Sequence, residues 1–297
     1  MYDHIAANKR KTWFLIVLVA AIIVGLSALY GYIQGIDPTT TILIGTVIAS
    51  VHALISYFLS DKIALASSGA KAIKKQDAPE LWNLVENLCI ANGQPVPAIY
   101  IINDDSPNAF ATGRDPEHAS IAFTTGIIKI LDKQELQGVT AHELSHVKNY
   151  DIRVMTVVVV LVGAVMLLAD IMLRTMYFGR RDERGSSTAI FALIGIVLAI
   201  LSPLFAQLIQ LAVSRSREYL ADASGAMLTR YPEGLAQALE KIALAARPMQ
   251  NANHATAHLF IANPFGNEHK RRASLSTMFS THPPMEERVR RLRDMGR

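Results

Sequence analysis

The chain has 297 residues, room for two ordinary domains or for one domain with a membrane part. Hydrophobic residues make up 51% and charged residues only 18%, against roughly 25% in a soluble chain, and 29 basic against 25 acidic side chains leave a net charge of +4. These values exclude a plain cytosolic enzyme, a disordered chain and a collagen-like fibre, and the positive bias is too diffuse to select nucleic acid as a partner. The missing charge has a location: 12–36, 38–60, 154–169 and 185–214 contain no Asp, Glu, Lys or Arg. A soluble-type composition is thus interrupted by membrane-type segments. The single cysteine, Cys89, rules out an intramolecular disulfide and a cysteine-cluster metal site, and suits a catalytic part on the reducing side of a membrane.

The first apolar segment, 13–33, follows Lys9-Arg10-Lys11 and closes on Tyr30 and Tyr32, aromatics suited to a membrane interface. The second, 39–59, follows a connection too short for anything but a tight hairpin. A second span at once, and a poor small-residue cleavage pattern, argue against a signal peptide. The tail carries three basic residues, the 34–38 connection none, and the stretch beyond Ser60 carries Lys62, Lys71, Lys74 and Lys75. The positive-inside rule puts both ends of this hairpin in the cytoplasm.

Asp77-Ala78-Pro79-Glu80 reads as a capping box opening a helix that ends at Gly93, with Leu81, Leu84, Val85, Leu88 and Cys89 on one face. Strands are expected at 98–102 and 121–124, with a third over 108–113. A second capping box, Asp132-Lys133-Gln134-Glu135, opens a helix running to about Asn149. A third apolar segment, 154–173, is interrupted by Asp170, and a fourth, 190–211, contains Pro203 and a kink is expected there. Two buried core helices are the competing reading of this pair, and Arg174, Arg180, Arg181 and Arg184 in the loop between them do not follow the positive-inside rule. Helices are expected over 215–228 and 232–247, then a long loop or mobile cover over 248–280, and a charged helix over 286–293. The expected fold is an α+β membrane protein with a small sheet and two hydrophobic helical hairpins. Its expected divisions are 1–60, 61–153, 154–214 and 215–297.

The strongest chemical signal is His142-Glu143-Leu144-Ser145-His146. Positions 142 and 146 lie one helical turn apart, so both imidazoles leave the same face and can converge on one ion. Glu143 adjoins that face and can reach a metal-bound water. Zinc suits nitrogen and oxygen ligands in a tetrahedron, but a catalytic site needs a third protein ligand. Glu218 and Asp222, also a turn apart, offer one carboxylate for the metal and one to hold a ligand imidazole. A solvated acidic stripe is the competing reading. His254 and His258 share the spacing but sit in a segment with poor helical support, and read as loop histidines. A site joining His142 to Glu218 requires an even number of membrane crossings between them.

These residues resemble the HtpX-type membrane zinc metalloproteases, relatives of the CAAX-processing proteases. The resemblance covers the N-terminal hairpin, Asn108-Ala109-Phe110-Ala111-Thr112-Gly113, the His142–His146 motif, the second apolar pair, Ser214-Arg215-Ser216-Arg217-Glu218-Tyr219-Leu220-Ala221-Asp222 and Thr281-His282-Pro283-Pro284. It implies a zincin-like protease domain with one Zn2+ per chain, held by His142, His146 and Glu218, with Glu143 as general base and Asp222 behind an imidazole. It further implies an endopeptidase in the inner membrane, multi-pass and facing the cytoplasm, whose partners are the lipid bilayer and misfolded or damaged membrane proteins. Residues 108–113, Asn108 among them, would line the substrate cleft. His282 would contact substrate or the developing oxyanion, unless it only starts a helix beside Pro283-Pro284. A non-proteolytic scaffold with structural zinc is the alternative, and intact Glu143 argues against it. A transporter using His52 and Asp170 is the less economical rival.

Overall fold

The computed structural model describes residues 2–178, 214–266 and 283–296. The predicted fourth segment and His282 lie outside the described residues, as does the side chain of Asp170.

Helices α1 (Tyr2–Gln34) and α2 (Pro38–Phe58) pack against each other, the chain turning between them at Gly35 with φ 65°. The Asp37 side chain accepts from Thr40 N–H at 2.8 Å and caps α2. Within them Ile5–Leu29 and Pro38–Phe58 have the length and composition to cross a membrane. Their outer faces present Trp13, Phe14, Val17, Leu43, Val47 and Leu54, all exposed, a surface suited to lipid. Helix α1 begins well before the predicted segment, and its first turns, with Asn8 and Thr12 buried, belong to the protease body.

Two short elements that the sequence did not announce follow, α3 (Ser60–Ser67) and β1 (Ala70–Ala72). Helix α4 (Pro79–Asn92) ends at left-handed Gly93 and buries all five predicted apolar residues. Its capping box does not form. Pro79 takes the first helical position, the cap falls on Ala78, and Asp77 instead accepts from Lys74 N–H at 2.7 Å. The sheet runs β1-β2-β4-β3, with β2 (Ala98–Ile102), β3 (Ala109–Gly113) and β4 (Ala119–Thr124) close to expectation. Strand β4 is parallel to β2 and antiparallel to β3. Alternation along β4 feeds two cores. Ile121 and Phe123 face one built from α4 and the helices over 133–148, 215–229, 232–244 and 285–295, whereas Ala122, with Phe110 and Ile102, faces a second with α1, α3 and the helix that begins at Asp151. Each buried Phe or Ile contributes about 1.5–3 kcal/mol to that packing.

After α5 (Thr125–Ile130), helix α6 (Lys133–Lys148) starts on a capping box closed from both sides. Asp132 accepts from Glu135 N–H at 2.9 Å, and Glu135 accepts from Asp132 N–H at 2.8 Å. Left-handed Tyr150, φ 59°, turns the chain into α7 (Asp151–Phe178). Every residue from 151 to 162 is buried, so the predicted third apolar segment starts as protein core under β3 rather than in lipid. Helices α8 (Arg215–Thr229) and α9 (Pro232–Leu244) pack against α6, and α10 (Met285–Met295) packs on α9 and α8. The described part of the expected loop, 248–266, is irregular and packed on the body, with Met249, Ala255, Leu259, Phe260 and Ile261 buried.

Two glycines let helices close on α6. A Cβ on Gly225 of α8 would stand 3.0 Å from the backbone nitrogen of His142, and one on Gly138 would stand 2.7 Å from that of Leu235 in α9. Gly138→Ala is therefore expected to part α6 from α9 and cost about 1–3 kcal/mol despite alanine's better helix propensity. A thermal unfolding midpoint at or above the parent's would contradict this packing.

Candidate metal centre

The capped helix α6 projects His142 and His146 inward, and α8, held close by Gly225, brings Glu218 against them. His142 Nε2 lies 3.2 Å from His146 Nε2 and 3.8 Å from Glu218 Oε2, and His146 Nε2 lies 3.5 Å from Glu218 Oε1. All three side chains are buried. A tetrahedral ion with ligand bonds of about 2.0–2.1 Å has ligand–ligand edges of about 3.3–3.4 Å. The donor set and its spacing therefore fit a divalent cation such as zinc.

The outer nitrogens of the imidazoles fix which lone pairs point inward. His142 Nδ1 lies 2.9 Å from Asp222 Oδ1, and His146 Nδ1 lies 3.1 Å from Asp151 Oδ2. With Nδ1–H donated to a carboxylate on each ring, both Nε2 lone pairs converge on the same space, the tautomer that ligation needs. Asp222 is clamped by fully buried Arg288 of α10 through Nε at 2.9 Å and Nη2 at 2.7 Å. Burial opposes ionisation of Asp222, yet Arg288 and His142 hold its carboxyl well below the usual range. Burial likewise opposes Asp151, and His146 and Arg217 hold it low. Burial lowers His142 against the pull of Asp222. It also acts to lower His146, but Asp151 and Glu218 outweigh it and raise that ring to about 9.

Glu143 is buried on the same face of α6. Burial pushes its carboxyl up to about 7, His146 draws it down, and Glu218 raises it further. The carboxylate accepts from the backbone N–H of Ala111, on the side of β3 away from β4. Along that edge Ala109 C=O accepts from Ile261 N–H at 3.0 Å, and Gly113 N–H donates to Thr156 Oγ1 at 3.2 Å.

The model of peptidase family M48 matches residues 75–296. Over 296 residues the chain is 48% identical to the protease HtpX homolog of Tropheryma whipplei (strain TW08/27), covering 100% of this chain and 99% of that relative. The chain belongs to peptidase family M48. The protease HtpX homolog of Thermoanaerobacter pseudethanolicus is 44% identical, covering 99% of this chain and 98% of its own length. The crystal structure of S. mikatae Ste24p aligns with 98% of this chain and 67% of its own, at 18% identity and a TM-score of 0.49. The HtpX-type resemblance read from the ordered motifs is thus confirmed. This M48 member is a membrane-associated metalloprotease with two candidate spans near its N-terminal end.

Of the predicted site residues, His142, Glu143, His146, Glu218 and Asp222 meet in this one M48 centre. Asn108 stands apart and completely buried. Its amide nitrogen donates to Ala262 C=O at 2.9 Å and its oxygen accepts from Ala262 N–H at 3.1 Å, fastening the 249–262 segment along β3. His258 bonds Met155 C=O through Nε2 at 2.8 Å, and His254 lies against the Phe265 ring, so neither joins the cluster. Sequence reasoning missed Asp151 and Arg288. Arg288 carried a signal, since it shares one face of α10 with Val289 and Leu292, apolar positions in a mostly charged helix. Asp151 carried none.

Proposed function

We propose that the chain is a zinc-dependent endopeptidase of the inner membrane that cuts misfolded or damaged membrane proteins from the cytoplasmic side. The observation carrying this reading is the triangle of His142, His146 and Glu218 with the Glu143 carboxylate beside it. Zinc, when bound there, supplies Lewis acidity toward water and the scissile carbonyl. Glu143 takes the proton of the attacking water on a carboxylate oxygen and returns it to the leaving amine. Asp222 and Asp151 keep the two imidazoles oriented, and Arg288 keeps Asp222 in place. A peptide pairing with the outer edge of β3 displaces Ile261 from Ala109 and frees Glu143 from Ala111. Substrate therefore opens the 249–262 segment and releases the base in one movement.

Helix α1 supports the cytoplasmic side. Its Asn8 bonds Asp151 behind His146, and Lys9, Arg10 and Lys11 follow at once, so the basic end of the hairpin lies beside the site, which favours the cytoplasmic side by the positive-inside rule. Next to the bilayer, cytosolic loops of membrane proteins are at high local concentration, which favours them as substrates. The test is metal analysis of detergent-solubilised protein with cleavage of an unfolded membrane protein. The expected result is one zinc per chain and cleavage blocked by a chelator and restored by zinc. Zinc retained with no cleavage of any unfolded substrate would instead favour the scaffold.

A further inference from the structure

Asp151 needs to be held before it can hold His146. Its Oδ2 faces His146 Nδ1, so its orientation depends on what grips Oδ1. The closest partner comes from the far end of the chain. Asn8 of α1, itself buried, donates from Nδ2 to Asp151 Oδ1 at 2.8 Å and to Asn149 C=O at 2.9 Å. Asn149 caps the C-terminus of α6, and Asp151 is the first residue of α7. One amide thus staples the α6–α7 turn three residues beyond His146. Arg217 Nη1 completes the arrangement, 3.3 Å from both Asn8 Oδ1 and Asp151 Oδ1. It belongs to α8 and directly precedes Glu218. The Lys9 ammonium lies over the Tyr150 ring, 4.6 Å from its centroid, and presses on the same turn.

We propose that Asn8 is a positioning residue of the metal centre: through Asp151 it aims His146 Nε2 at the ion, which makes the N-terminal anchor helix part of the catalytic machinery rather than a tether. The assignment rests on the proposed zinc site. Groups behind a ligand imidazole keep its ring and tautomer fixed, and their loss typically weakens metal binding roughly 10–100-fold. Asn8→Ala removes the shorter grip on Asp151 Oδ1 and leaves, among the described residues, the longer Arg217 contact. The ring of His146 then samples orientations that do not meet Glu218 and His142. The neighbouring Thr12 serves as a control for packing of α1, because among the described residues its hydroxyl bonds Asn8 C=O within its own helix, at 2.9 Å.

The experiment uses the full chain in detergent and measures the zinc dissociation constant by competition with a chromophoric chelator, alongside thermal unfolding of the zinc-free protein. The variants are Asn8→Ala, Thr12→Val, Asp151→Asn and the Asn8→Ala/Asp151→Asn double. The expected result is zinc binding about 10–100-fold weaker in Asn8→Ala and unchanged in Thr12→Val. The Asn8→Ala loss should also largely vanish in the Asp151→Asn background, because both act through one contact. A merely structural role for Asn8 would move the unfolding midpoint and add independently to the Asp151 effect. Zinc affinity in Asn8→Ala within twofold of the parent, or losses that simply add, overturns this assignment while leaving the functional reading intact. A parent protein with no zinc site removed by Glu218→Ala overturns both.

Discussion

Glu143→Gln protein is expected to retain zinc at parent stoichiometry and to cleave at least 10²–10⁴-fold more slowly, roughly the contribution of a positioned general base. The two side chains have the same shape, and Gln can still accept the Ala111 N–H, so neither α6 nor β3 should shift. The carboxylate oxygens of Glu143 are not among the donors of the His142–His146–Glu218 triangle, so metal affinity is left alone. Only the capacity to take a proton is lost. A buried carboxyl pushed up to about 7 is also costly to ionise, so the variant should unfold no more easily than the parent. Glu218→Ala should behave differently, losing zinc and cleavage together, because it deletes a ligand. Cleavage by Glu143→Gln at the parent rate with full zinc would end the assignment of the base.

The contrast between what could and could not be read in the sequence follows the range of the interactions. His142, Glu143 and His146 were legible because one helical turn relates them, and the capping box at Asp132 and Glu135 marks that helix locally. Glu218 and Asp222 were legible as a pair for the same reason. That the pair faces the histidines is a tertiary fact, set by the close approach that Gly225 permits. The strands at 98–102 and 121–124 announced themselves by their density of strand-forming residues, and the second begins two residues earlier than expected, at Ala119. The capping box at Asp77 failed because the same four residues offered two local solutions, and Pro79 with the Lys74 turn won. Asp151 was invisible because a non-glycine residue, Tyr150, adopts the left-handed turn that aims it at His146. Asn8 sat in what reads as a basic tail. The apolar 154–162 stretch has the composition of a membrane span and the environment of a core, and only the sheet above it decides between them.

Arg288→Met should be the most destabilising of the substitutions that leave the ligands themselves intact. The guanidinium is completely buried, grips both oxygens of Asp222, and lies 3.9 Å from Glu218 Oε2 through Nη1. Methionine fills a similar channel, so the loss is electrostatic rather than a cavity. It strips the buried Asp222 carboxylate of its cation and leaves it against His142 Nδ1, a removal that costs about 3–5 kcal/mol. With its plane no longer fixed, Asp222 ceases to hold His142 Nδ1–H in register, and zinc binding should weaken roughly 10–100-fold as well. Arg288→Met/Asp222→Asn separates the two effects. The amide still accepts from His142 Nδ1–H but has no charge to bury, so the double variant should regain much of the stability lost by the single one. Unfolding of zinc-free protein and chelator competition measure both quantities. A single variant that melts with the parent would mean that Asp222 does not depend on Arg288, and a double variant weaker than the single would mean that the cost lies in packing instead of charge.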